Sequence, residues 1–227
     1  MKRRGPLRFL VTAGPTREHL DDVRFLASAS SGRMGFAVAA AARRRGHRVT
    51  LVTGPVDLPD PAGVAVVRVT GALEMRAAVR RAFPRCDALV MTAAVSDYRP
   101  ARRRPGKWRK GPGRLSLSLV RTPDILAECG RRKGRRVLVG FAVEVQGALS
   151  GARRKLRGKR LDALCLCSPA AFGADRADYR ILVPGRNPLE RRGIRKAALA
   201  REIVFLAERP RPPAGRPRRA AGSAPAR

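Results

Sequence analysis

Short, almost wholly apolar runs alternate with longer amphipathic segments along this chain, and that alternation restricts it to few architectures. Residues 7–13 (LRFLVTA) run into Gly14-Pro15-Thr16, the pattern of a strand buried on both faces that ends in a tight loop. Residues 33–45 (RMGFAVAAAARRR) place Met34, Phe36, Ala37 and Ala40 at helical spacing before Gly46, and 48–53 (RVTLVT) is a second strand. Strand, long loop, helix, strand is the βαβ unit, which takes nucleotides at the carboxyl ends of its strands. The unit recurs, with helices predicted over 72–82, 123–132, 147–159 and 195–208 and strands over 87–92, 136–141, 162–166 and 179–183. The expectation is an α/β fold with a doubly wound, Rossmann-like parallel sheet, a single domain over 1–208. With 227 residues the chain is long enough for one such core and short for two.

Two stretches break the pattern. Residues 99–114 (RPARRRPGKWRKGPGR) follow a strand end and carry Pro, Gly and basic residues without period, as a lid, a binding loop or a disordered segment does. Residues 115–120 (LSLSLV) then alternate as a strand does. From Arg209 onward Pro, Arg and Ala recur without apolar periodicity, which predicts a basic disordered tail over 209–227.

Fifty Lys and Arg against 17 Asp and Glu give a net charge of +33, which narrows the partners to anions. Aromatic residues make up 4%, too few to build stacking platforms for single strands, so nucleic acid is expected to bind only as a non-specific charge effect. Cys86, Cys129, Cys165 and Cys167 have neither zinc-site spacing nor the density of a disulfide scaffold, which suits reduced thiols in a cytoplasm. The first apolar run is shorter than the roughly 7–15 residues of a signal-peptide core. No stretch approaches the ~18 apolar residues of a membrane span. A cytoplasmic protein without a membrane partner is the expectation.

The segment Ser30-Ser31-Gly32-Arg33-Met34-Gly35 precedes the first helix, where backbone N–H groups and the helix dipole favour an anion. A serine cap with glycines for close packing accounts for the same residues, and spacing leaves both open. The segment is neither GxGxxG nor a P-loop, and Thr53-Gly54 stands where a nicotinamide-dependent reductase needs an acidic residue. His19 and His47 make no Ser/His/Asp set, and the absence of HExxH or a Cys/His cluster argues against zinc and leaves no protein-held metal expected.

VTAGPTRE at 11–18, DDVRFLASASSGRMGFAVAAAA at 21–42, LVTGPV at 51–56, MTAAVSDYRP at 91–100, KWRK at 107–110, RTPDIL at 121–126 and VGFAVE at 139–144 together resemble phosphopantothenate-cysteine ligase, also called phosphopantothenoylcysteine synthetase. The resemblance is ordered and spans about residues 7–185. In bacteria this ligase is often the C-terminal half of a bifunctional coenzyme A biosynthesis flavoprotein. This sequence carries no flavin-binding half, so the resemblance implies a free-standing ligase without flavin.

The reaction the resemblance implies, unrelated to ATP-grasp chemistry, has two steps. The carboxylate of 4'-phosphopantothenate attacks the α-phosphate of CTP and expels pyrophosphate, then the amine of cysteine displaces CMP from the acyl cytidylate to form an amide. Mg2+ bound through the nucleotide phosphates is the expected ion. Carried onto this sequence, the nucleotide contacts fall on Asp97, Lys107, Pro123, Asp124, Ile125, Leu126, Phe141, Lys155 and Lys159, with Gly32 and Gly35 at the helix start. Lys155 and Lys159 share one face of a predicted helix. Lys107 is the expected charge stabiliser for cytidylate formation, Arg24 and Ala94 match positions that handle the substrate, and Ser28 stands where the acylated intermediate is handled. A homodimer is implied, with an arm bearing Arg24 reaching the neighbouring subunit.

Two departures stand out. Where the family has an asparagine in a loop reading like SNHSSG, residues 27–32 read ASASSG, so Ser28 keeps a hydroxyl but lacks the amide's paired donor and acceptor. Where the family has Asn-Asp-Val, this chain has Cys165-Leu166-Cys167-Ser168-Pro169. These feed an alternative, a nucleotide-binding relative that has lost or changed the amide-forming step.

Overall fold

The structure, a computed structural model, describes residues 5–143 and 148–208. β1 (Arg8–Ala13) is followed by a small hairpin, β2 (Arg17–His19) and β3 (Phe25–Ala27), then by α1 (Arg33–Arg44), β4 (Arg48–Thr53), β5 (Ala65–Arg68) and α2 (Ala72–Ala82). Next come β6 (Ala88–Met91), a two-stranded arm of β7 (Tyr98–Pro100) and β8 (Leu119–Arg121), α3 (Ile125–Arg131) and β9 (Val137–Val143). The chain closes with α4 (Ala148–Gly158), β10 (Ala163–Cys167), β11 (Arg176–Leu182), β12 (Leu189–Arg195) and α5 (Lys196–Glu208).

Eight strands form the main sheet in the order β12-β11-β10-β9-β6-β1-β4-β5. Those from β10 to β5 pair in parallel, and β11 and β12 extend one edge antiparallel. Counted along the chain, the parallel strands lie in the order third, second, first, fourth, fifth, sixth, which is the doubly wound arrangement expected from the sequence.

Successive β1 side chains point to opposite faces, so Phe9, Val11 and Ala13 pack with Val38 and Ala42 of α1 and Leu199 and Ile203 of α5. Leu10 faces the other layer, against Met75 and Val79 of α2, Ile125 and Cys129 of α3 and Leu156 of α4. Helices on both faces explain why the central strands read as unbroken apolar runs.

The sequence expectation missed several strands. The "long loop" after β1 holds the β2–β3 hairpin, and β5, β7 and β12 were not foreseen. The alternating residues 115–120 are strand only from Leu119, because β8 pairs with just the three residues of β7. β12 (LERRGIR) is a polar strand on the open edge, where charged side chains discourage pairing with other sheets, so it carries no apolar signal. Glu144, Gly147 and the tail over 209–227 lie outside the described residues.

Gly35 decides how closely α1 approaches the sheet. A Cβ there would lie 2.5 Å from Ala13 Cβ, 2.6 Å from Thr92 Oγ1 and 2.9 Å from the Thr12 carbonyl oxygen. A mid-helix Gly→Ala change ordinarily gains about 1 kcal/mol. Here the sign reverses: Gly35→Ala is expected to lose about 1–3 kcal/mol through overpacking, read as a lowered midpoint in urea unfolding, whereas half-buried Gly151 of α4, with open space where a Cβ would lie, follows the ordinary rule.

Candidate active site

The sheet order reverses between β1 and β6, the switch point at whose strand ends doubly wound folds take their ligands. Beyond the strand ends Pro15 and Ala94 form a parallel bridge: Ala94 N donates to the Gly14 carbonyl at 2.9 Å and Thr16 N to the Ala94 carbonyl at 3.3 Å. Ser96 N donates to Thr16 Oγ1 at 3.0 Å. The amino end of α1 stands over this junction because Gly35 packs on Thr12, Ala13 and Thr92.

Close packing is therefore one true reading of the Ser30–Gly35 segment, but the serine cap is not. The cap residue is Gly32, with φ 75° and no side-chain cap bond, and Ser30 Oγ instead accepts the Gly32 N–H at 3.4 Å. A side chain at Gly32 would meet Val56 Cγ1 at 2.9 Å.

The basic loop between β7 and β8 is tied to the β2–β3 hairpin. Asp21, fully buried, accepts the Val23 N–H at 2.7 Å, the Arg24 N–H at 2.6 Å, the Trp108 N–H at 2.9 Å and Arg24 Nη1 at 3.0 Å. Asp22 accepts the Gly106 N–H at 2.7 Å and Arg103 Nη2 at 2.8 Å. Arg24 Nη1 also donates to the Trp108 carbonyl at 2.8 Å, and the Arg104 guanidinium lies over the Trp108 ring at 4.8 Å. Arg24 and the segment bearing exposed Lys107 thus meet, although they come from separate parts of the chain.

A second grouping forms around α3. Thr122 N donates to the Asp97 carbonyl at 2.9 Å and Thr122 Oγ1 to the Ser96 carbonyl at 2.5 Å, which sets Pro123 beside exposed Asp97. Asp124 caps α3 by accepting the Ala127 N–H at 2.9 Å, and its other oxygen pairs with Lys159 Nζ at 2.8 Å. Lys155 lies one turn earlier on α4, and both lysines are half-buried. The Ile125 and Leu126 side chains are buried in the core, so contact from these residues to a ligand would run through their backbone. Phe141 packs on the α1–α5 side of the sheet, and exposed Ser28 follows β3.

Sequence reasoning missed Asp21 and Asp22; the signal was two adjacent acids in a chain with 17 acidic against 50 basic residues. It also missed a cavity of about 520 Å³ beyond the ends of β4 and β5, lined in part by Thr53, Gly54, Val56, Arg68 and Glu74.

The thiols are not poised as nucleophiles. Burial pushes Cys86 and Cys129 up to about 12 and Cys167 to about 11, and raises Cys165 as well, so each stays protonated at neutral pH. Among the described residues no three His, Cys, Asp or Glu side chains converge as a metal site, and no helix is long and apolar enough to cross a membrane.

Hydrogen bonds from the Arg24 and Trp108 N–H groups pull the Asp21 carboxyl down to about 2, and the Gly106 N–H followed by Arg103 lowers Asp22. Both carboxylates are below their unfolded value of 3.8, so their contribution is complete above about pH 4 and is lost as the pH falls towards 2. Trp108, the sole tryptophan, reports on the loop. Its emission is expected to stay flat from neutral pH to about 4 and to shift only below; a transition well above about pH 4 would remove the two carboxylates from control of the loop.

Residues 6–209 match the family described as the DNA/pantothenate metabolism flavoprotein C-terminal domain. The coenzyme A biosynthesis bifunctional protein CoaBC of Bacillus subtilis (strain 168) is 44% identical over 171 residues, covering 73% of this chain and 42% of that one. The protein of the same name from Escherichia coli (strain K12) is 42% identical over 209 residues, covering 87% and 52%. The chain therefore spans about half the length of these relatives. The crystal structure of the C-terminal domain of a coenzyme A biosynthesis bifunctional protein CoaBC superposes with a TM-score of 0.78 at 34% identity, covering 90% of this chain and 95% of that one. By sequence and by fold, the chain belongs to the family of the DNA/pantothenate metabolism flavoprotein C-terminal domain.

Proposed function

We propose that the chain is a CTP-dependent phosphopantothenate-cysteine ligase of coenzyme A biosynthesis. Family membership supports the class of reaction. The observation that carries the reading furthest is the junction of Arg24 with the Lys107 loop through the Trp108 carbonyl, built on the loops that leave β1 and β6.

The chemical obstacle is charge: a carboxylate must approach a triphosphate. In this reading Lys107, exposed on its loop, follows the α-phosphate as the organic acid attacks and pyrophosphate leaves. Lys155 and Lys159 take the rest of the phosphate chain, and Lys159 exchanges Asp124 for a phosphate oxygen. Backbone N–H groups at the start of α1, past Gly32 and towards Gly35, supply uncharged donors. Pro123 and the backbone of Ile125 and Leu126, with Phe141, bound the nucleoside. Cysteine's amine then attacks the acyl carbon, CMP leaves with the electron pair of the broken C–O bond, and the amine's proton passes to solvent. Arg24, Ser28 and Ala94 face the pantothenate moiety.

Mg2+ held through the nucleotide would offset the charge of its phosphates. Exposed Asp97, beside Pro123, is a hard oxygen donor of the kind such an ion takes. A homodimer is part of the proposal, supported by the exposed apolar residues Tyr98, Leu115, Leu119 and Val120 on and beside the β7–β8 arm. Four reduced thiols suit a cytoplasmic setting.

Ser28 and Cys167 favour a second reading, in which nucleotide is bound and the acid activated without amide formation. Pyrophosphate release from CTP and 4'-phosphopantothenate, followed by mass analysis for the cysteine adduct, separates the two: adduct is expected, and pyrophosphate without adduct selects the second. Lys107→Gln is expected to lower pyrophosphate release by about 100-fold or more with an unchanged urea midpoint; full turnover in that variant would remove Lys107 from its role.

A further inference from the structure

We propose that Asp21 and Asp22 are positioning residues for Lys107, holding the basic loop by the backbone amides on either side of that lysine. This rests on the role of Lys107 given above. Asp22 Oδ2 accepts the Gly106 N–H at 2.7 Å and Asp21 Oδ2 the Trp108 N–H at 2.9 Å, so the residues before and after Lys107 are fixed to one hairpin tip. Arg104 N donates to the Leu20 carbonyl at 2.9 Å and Asp22 N to the Gly106 carbonyl at 3.3 Å, which makes the attachment a short ladder.

The electrostatics call for such a device. Arg102, Arg103, Arg104, Lys107, Arg109 and Lys110 crowd one short stretch and repel one another. Gly106, Gly111 and Gly113 add conformational freedom, which would have to be lost each time the lysine met its phosphate. Asp21 has no solvent-exposed side-chain surface and takes four hydrogen bonds, the strong charge-assisted kind. Asp22 neutralises Arg103 at the same place. The base of the Lys107 side chain is thereby fixed while its exposed ammonium stays free to move.

Asp22→Asn is the variant of choice, because the Asp22 side chain is 51% exposed and its loss spares the core. Turnover in pyrophosphate release is expected to fall about 10- to 100-fold, with KM for CTP changed little. Acrylamide quenching of Trp108 and tryptic cleavage after Lys107 are both expected to rise. If Asp22 acts through Lys107, the double variant Asp22→Asn/Lys107→Gln is no slower than Lys107→Gln alone. Asp60→Asn breaks a comparable surface pair with Arg68 and is expected to leave every readout unchanged. An active wild type in which Asp22→Asn alters neither turnover nor quenching, or in which the two substitutions add, overturns the positioning role alone. An inactive wild type overturns the ligase reading and the positioning role with it.

Discussion

The approach of α1 to the carboxyl ends of β1 and β6 sets the geometry on which the rest depends. It is possible only because position 35 has no side chain: the helix backbone lies against Thr12, Ala13 and Thr92 at distances that no Cβ tolerates. Gly14 and Gly54 serve the same junction, with Gly54 against the Pro15 carbonyl and Gly14 at φ 74°. The placement of the helix-start donor groups over that junction follows from this one contact. The helices on both faces hold the sheet in register beneath it.

Charge is the second constraint. In a chain this basic, carboxylates are scarce, and most of those described are engaged. Glu18 accepts the Ala72 N–H, Asp87 the Arg8 N–H, Asp162 pairs with Lys133, and Glu208 binds Arg45 and His47. His47 Nδ1 accepts the Leu7 N–H, so its proton lies on Nε2, facing Glu208. These pairs join elements distant in sequence, and each leaves a local excess of cations elsewhere. The β7–β8 loop keeps a dense excess, and among the described residues its carboxylate contacts come from another segment.

The central strands were legible because burial on both faces writes an apolar run into the sequence, and 48–53 was read to the residue. The three-residue strands β2, β3, β7 and β8 were not, since three positions show no period. In the site, it was the family resemblance that pointed to Asp97, Pro123, Asp124 and Lys159; in the structure Asp124 pairs with Lys159, and Thr122, next to Pro123, bonds the Asp97 carbonyl. Spacing could not show that Asp124 and Lys159 are partners of each other, nor that Ile125 and Leu126 turn into the core. Asp21 and Asp22 escaped notice because their partners Gly106 and Trp108 lie more than 80 positions away, where no local pattern reaches.

The two oxygens of Asp124 divide their work: Oδ1 holds the Ala127 amide and Oδ2 the Lys159 ammonium. A competing anion that drew Lys159 away would sever one attachment and spare the other. The first turn of α3 would remain wound throughout the exchange, so the lysine can change allegiance without any helix having to refold.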